Sequence, residues 1–130
     1  MTVFQMALKL LHKGDEAQRL GAIIDISRSG DVRYVPQLLV RLESDETHEN
    51  KRHIIRALGN IRDSRADSPL LKLFSQSSGG NILGDLARSL GQLGVHDAIP
   101  RLKELESHSN EWVRQNATWA LKQMRSQPTK

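Results

Sequence analysis

The chain has 130 residues, 38% of them hydrophobic but only 4% aromatic, which suits one compact domain packed by small aliphatic side chains and excludes a large ring-centred core. With 19 basic against 15 acidic residues the formal net charge is +4. The absence of cysteine excludes disulfides and thiolate metal sites and points to a reducing cytoplasm. No run approaches the roughly 20 apolar residues that cross a bilayer, so no membrane insertion is expected.

Met1 to Lys13 carries Phe4, Ala7, Leu8 and Leu11 at helical spacing and lacks the apolar run and cleavage site of a signal peptide. A helix is predicted over 2–12. Asp15, with Gln18 three residues on, opens a second helix over 15–28, and Pro36 lies in the first turn of a third over 33–43. Thr47 caps a fourth over 48–61, and Ser68 before Pro69 opens a fifth over 68–76. Helices over 81–93 and 97–107 follow, the latter with Pro100 near its start, and Asn110 before Glu111 opens the last over 110–125. Gly14, Gly30, Gly79, Gly80 and Gly94 sit at the reversals, where glycine is expected in the left-handed conformation that helix ends favour.

One phrase recurs along this series. It reads Lys51, Ile54, Ala57, Leu58, Gly59 and then Leu83, Leu86, Ser89, Leu90, Gly91, with echoes at Arg19, Ala22, Ile26 and at Arg114, Ala117, Ala120, Leu121. Leu58 to Leu90 and Leu70 to Leu102 are both intervals of 32 residues, so alternate helices repeat together and each unit is a helical hairpin. The units are 1–13 (partial), 15–43, 48–76, 80–107 and a terminal helix 110–126, within one 1–130 domain of eight helices in about four stacked hairpins. Ala57, Ser89 and Ala120 are small enough to hold adjacent helix axes about 8–10 Å apart.

The strings RALGNIRDSRADSPLLKLF from Arg56 and RSLGQLGVHDAIPRLKELE from Arg88 resemble the HEAT-like repeat of the phycobilisome-lyase type. The resemblance spans nearly the whole chain and implies an all-α fold, an α-α superhelix of the HEAT/armadillo kind, with a non-catalytic binding or scaffold role and no cofactor. Some relatives are subunits of enzymes that attach or remove bilins, so the resemblance also implies an alternative: an accessory subunit of a bilin lyase or isomerase with a phycobiliprotein as partner. The basic residue that such repeats hold early in the first helix matches Arg19, Lys51 and Arg114, while the third unit has Leu83 there. Glu16 with Arg19 and Glu111 with Arg114 stand at i,i+3, a spacing suited to weak ion pairs.

Catalytic constellations are missing. Deoxyhypusine hydroxylase, another HEAT-type protein, builds a di-iron site from repeated His-Glu dyads, whereas this chain has the single dyad His48–Glu49. His12, His48, His53, His96 and His108 are scattered, and the interval from His48 to His53 turns the two rings away from a shared face. Ser75, Ser77 and Ser78 before Gly79 and Gly80 lack the strand and lysine of a phosphate loop.

Two surface features remain. Trp112 and Trp119 are seven residues apart on one flank of the last helix, placed either to cap the preceding hairpin or to anchor a partner. Arg28, Arg33, Arg62 and Arg65 gather in the turns of the first two hairpins, with Arg33 and Arg65 in register and Asp31, Asp63 and Asp67 among them, so a mixed-charge edge is expected. The expected partner is another protein, met by the second helices through Gln37, Arg41, Lys72, Arg101 and Glu104, by the tryptophan flank, and by Arg33 and Arg65 if its surface is acidic. Nucleic acid is disfavoured, because no aromatic residues are interleaved with the basic ones for base stacking.

Overall fold

A computed structural model describes residues 1–126, and residues 127–130 of the expected domain lie outside the described residues. Eight α-helices and no strand occur among the described residues: α1 Val3–Lys13, α2 Glu16–Ser29, α3 Val35–Leu42, α4 His48–Ile61, α5 Asp67–Gln76, α6 Gly80–Leu93, α7 Ile99–Leu105 and α8 Glu111–Arg125. The first helices α2, α4, α6 and α8 form a close-packed row, each against the next, and α3, α5 and α7 form a second, more widely spaced layer. One continuous core runs between the layers, from Leu11 through Ile54, Leu58, Leu86 and Leu90 to Met124.

The repeat is written most clearly at the helix ends. The first helices begin after Asp15, Thr47, Gly79 and Asn110. Asp15, Thr47 and Asn110 each accept a hydrogen bond from the backbone N–H three residues on, satisfying a donor the helix leaves open. Asp15 and Gln18 form the reciprocal capping box, and Thr2 with Gln5 forms another on α1 that the sequence reading did not anticipate.

At the other end of these helices Gly30, Arg62 and Gly94, spaced by 32 residues, all take left-handed backbone, with φ of 64°, 61° and 71°. The expectation for glycine is therefore met at two of its five positions. Gly14 and Gly79 are extended, and Gly80 is the first residue of α6. Arg62 occupies the third left-handed slot, where an L side chain crowds its own backbone. Arg62 is exposed, so Arg62→Gly is expected to raise the unfolding free energy by about 1 kcal/mol, read by urea denaturation.

The second helices start differently from expectation. Val32–Tyr34, Ser64–Ala66 and His96–Ala98 are single 3-10 turns, and the α-helical hydrogen bonding begins only at Val35, Asp67 and Ile99. Asp31 and Asp63 accept from the N–H groups of Arg33 and Arg65, so these aspartates fix the turns, and Ser68 lies inside α5 instead of capping it. Pro36 and Pro100 sit in the first turns of α3 and α7, where a missing N–H leaves no broken bond.

The glycine of the recurring phrase has a packing role. A Cβ on Gly59 would come within 2.6 Å of Ser89 Oγ and 2.8 Å of its Cα, and one on Gly91 within 2.7 Å of Ala120 Cα. The small residues read from sequence thus pair with glycines, Ser89 on Gly59 and Ala120 on Gly91. Ser89 Oγ donates to the carbonyl of Ile55 at 2.8 Å, tying α6 to α4 inside this contact.

Candidate functional site

Two buried carboxylates join the units. Glu46, in the turn between α3 and α4, has a fully buried side chain that accepts from Arg19 Nε and Nη2 at 2.9 and 3.0 Å and from Arg41 Nη2 at 2.9 Å. The Thr47 N–H at 2.9 Å and Asn50 Nδ2 at 3.1 Å complete its shell. Burial alone would raise this carboxyl, but the five hydrogen bonds from four donor residues favour its charged form and hold it at about 2. Asp85, on α6 and equally buried, accepts from Arg52 Nε at 2.6 Å and Arg56 Nε at 3.2 Å, both on α4. Sequence reasoning missed both. The available signal for Asp85 was a carboxylate inside the apolar phrase, one repeat after two arginines at i,i+4.

The early basic residue of the first helix is turned toward its own loop. Arg19 Nη1 donates to the carbonyl of Gly14, and Arg114 Nη1 donates to the carbonyls of His108 and Ser109. The i,i+3 pairs expected with Glu16 and Glu111 give way to these bonds, because the loop carbonyls and Glu46 are better placed, and Glu111 accepts from Gln115 instead.

Two of the four turn arginines, Arg33 and Arg65, are occupied. Arg33 donates from Nε and Nη2 to Asp31 and stacks over the Phe4 ring at 4.3 Å, while Arg65 pairs with Asp63 in the same way and reaches the carbonyl of Val32 at 2.8 Å. These bidentate contacts hold the Asp31 and Asp63 carboxyls below the usual carboxylate range. The edge is mixed in charge, with Arg33 and Arg65 each neutralised in its own turn.

The second-helix residues divide in two. Gln37 accepts from His12 at 2.8 Å, Arg41 is committed to Glu46, and Arg101 donates to the carbonyl of Ser77 and covers the Phe74 ring at 5.0 Å. Lys72 and Glu104 are exposed. Between α3 and α5 the wider spacing leaves a groove of about 360 Å³ lined by Leu39, Leu42, Glu43, Pro69, Lys72, Leu73 and Gln76.

Both tryptophans, carried by α8, pack against α6. Trp112 covers Gly84, and Trp119 reaches Gly91 and carries Arg88 on its ring at 4.2 Å. The seven-residue spacing of the rings matches that of the two glycines. Trp119 is half-buried, and Trp112 keeps 38% of its surface exposed. Beyond them, counting from the helix starts Gly80 and Glu111, Gln115, Thr118 and Lys122 stand where α6 has Gly84, Ala87 and Gly91. The outer face of α8 therefore lacks the small-residue slots that let one unit seat on another.

No cluster of histidine, aspartate or glutamate suited to a metal ion occurs among the described residues, and none of their helices is long and apolar enough to cross a membrane. Residues 51–76 match the PBS lyase HEAT-like repeat, and residues 80–130 match HEAT repeats. Among solved structures the chain is similar to the complex of CpcE and CpcF of phycocyanin lyase from Nostoc sp. PCC7120, at 17% identity and a TM-score of 0.66. That similarity covers 98% of this chain and 67% of the other. No curated protein sequence matches the chain. With hairpins in register at 32 residues, welded through paired glycines and small side chains, residues 51–76 and 80–130 are built as HEAT-type repeats, the first stretch of the PBS lyase HEAT-like kind.

Proposed function

We propose that the protein is a non-catalytic adaptor that binds another protein along its second-helix layer. The observation that carries this reading is the groove between α3 and α5, where Leu39, Leu42, Pro69 and Leu73 are bordered by Glu43, Lys72 and Gln76. A trough with polar and apolar lining in equal measure suits a protein segment, the apolar part giving contact area and the polar part orientation. Lys72 lies in the groove, Glu104 is exposed on α7 of the same layer, Trp112 offers a separate exposed edge on α8, and Gln37, Arg41 and Arg101 are held by bonds within the fold.

The test is affinity capture from native cells, comparing wild type with Lys72→Glu/Leu73→Gln and with Trp112→Ala/Trp119→Ala, each checked for wild-type helicity. A partner held by wild type and lost from the groove variant supports the reading. An identical partner set on wild type and the groove variant, or no partner on either, contradicts it.

A second reading is an accessory subunit of a bilin lyase or isomerase, supported by the repeat match at residues 51–76 and the fold shared with a phycocyanin lyase complex. It requires a visible absorbance change on mixing with chromophore-bearing phycobiliprotein, and an unchanged spectrum removes it. Binding to a nucleic-acid backbone is disfavoured by the pairing of Arg33 and Arg65 with Asp31 and Asp63, and would need affinity that falls steeply with salt.

A further inference from the structure

The exposed large apolar side chains concentrate at the α1 end of the stack. Met1, Val3, Met6 and Val32 are 77%, 87%, 45% and 47% exposed. Met1, Val3 and Met6 line a groove of about 330 Å³ between α1 and α2, walled on one side by Val3, Met6, Ala7 and Leu10. The other wall is Ala22, Asp25, Ile26 and Ser29. Both sets have i, i+3, i+4, i+7 spacing, so the groove runs along two helices for about two turns.

The register of the stack says what kind of object fits. Asp25 is the tenth residue of α2, and the tenth residues of α4, α6 and α8 are Ala57, Ser89 and Ala120. All three are buried, and Ser89 and Ala120 are pressed against the preceding first helix at Gly59 and Gly91. In α2 the same slot opens on the groove and holds a carboxylate with no ion-pair partner among the described residues. Where an acid does face the preceding helix, at Asp85, two arginines of that helix grip it.

We propose that the α1–α2 groove docks one amphipathic helix of a partner protein, with an apolar stripe seated between Met6 and Ile26 and an arginine or lysine placed to meet Asp25. The unbranched side chains of Met1 and Met6 adapt to the incoming stripe, and the single carboxylate sets its register. A second copy of this chain fits poorly, because the outer face of α8 offers Lys122 where a seating helix needs glycine.

The probe is a fluorescein-labelled amphipathic peptide of about 15 residues, near the length at which a helix holds in water, with leucine and alanine at i, i+3, i+4 and i+7 and one arginine in the stripe. Its twin has glutamate in place of that arginine. By fluorescence anisotropy, the arginine peptide is expected to bind wild type and to lose roughly tenfold in affinity with Asp25→Lys, whereas the glutamate twin binds Asp25→Lys better than wild type. Met6→Glu abolishes binding, and Lys72→Glu, in the other groove, leaves it unchanged. Equal binding of both peptides to wild type, indifference to Asp25→Lys, or no binding by wild type overturns the proposal. Because the α3–α5 groove is untouched by Asp25→Lys and Met6→Glu, each of those outcomes leaves the adaptor reading to its own test.

Discussion

Replacing Glu46 by alanine is expected to lower the unfolding free energy by about 3 kcal/mol, the lower end for breaking a buried ion network, because Arg19 and Arg41 keep 19% and 13% of their side-chain surface in water. The loss arises from the partners left behind more than from the missing carboxylate. Two guanidinium groups and the Asn50 amide, all drawn inward by Glu46, keep their desolvation and lose their acceptor. The same group sets an acid dependence. Its folded value of about 2 lies below its ordinary 4.5, so its contribution is complete above pH 4.5 and disappears as the pH falls toward 2. The gap between wild type and Glu46→Ala should therefore be wide at pH 7 and narrow steadily below pH 4.5. Urea denaturation across that range checks both size and sign, and a gap independent of pH would contradict the assignment.

The second large effect belongs to Gly91. Any Cβ there meets the backbone of Ala120 on α8, and backbone cannot rotate away as a side chain can. Gly91→Leu is expected to lose about 3 kcal/mol, since α6 and α8 must separate along their whole contact to admit the side chain. Gly21 provides the control. It lies in the middle of α2 on an exposed face, where a Cβ would meet nothing within 4 Å, so Gly21→Ala should gain about 1 kcal/mol through helix propensity alone. Opposite signs at two mid-helix glycines, read by thermal melts, would separate close helix approach from propensity. Equal signs would refute the role assigned to the phrase glycine.

The architecture was legible because each repeat states it separately. The interval from Leu58 to Leu90 is carried by packing that every hairpin must satisfy, and capping at Asp15, Thr47 and Asn110 depends on a side chain and a backbone N–H three residues apart. Local rules suffice for such features. The 3-10 turns ahead of the second helices were harder to see, because Asp31 and Asp63 direct the backbone over two residues and leave no helical period. Arg62 in a left-handed slot was visible only by register with Gly30 and Gly94, against its residue type.

The charged contacts were least legible, since they join positions far apart in sequence. Arg19 has Glu16 one turn away yet pairs with Glu46, and Asp85 meets arginines 33 and 29 residues earlier. Only the stacking of α2 on α4 and of α4 on α6 brings these groups together. For the tryptophans, the sequence places the rings on the border of the buried stripe, and the structure shows what they cover: Gly84 for Trp112, Gly91 and Arg88 for Trp119.

The central claim is translational stacking of like hairpins, and the absence of native cysteine allows it to be measured cleanly. Spin labels at Arg28→Cys, Asn60→Cys and Gln92→Cys occupy one register position on α2, α4 and α6. Electron paramagnetic resonance should give about 10 Å for the 28–60 and 60–92 pairs and roughly double that for the 28–92 pair. A 28–92 separation equal to the other two would mean that the helices surround a common centre, which contradicts the stack.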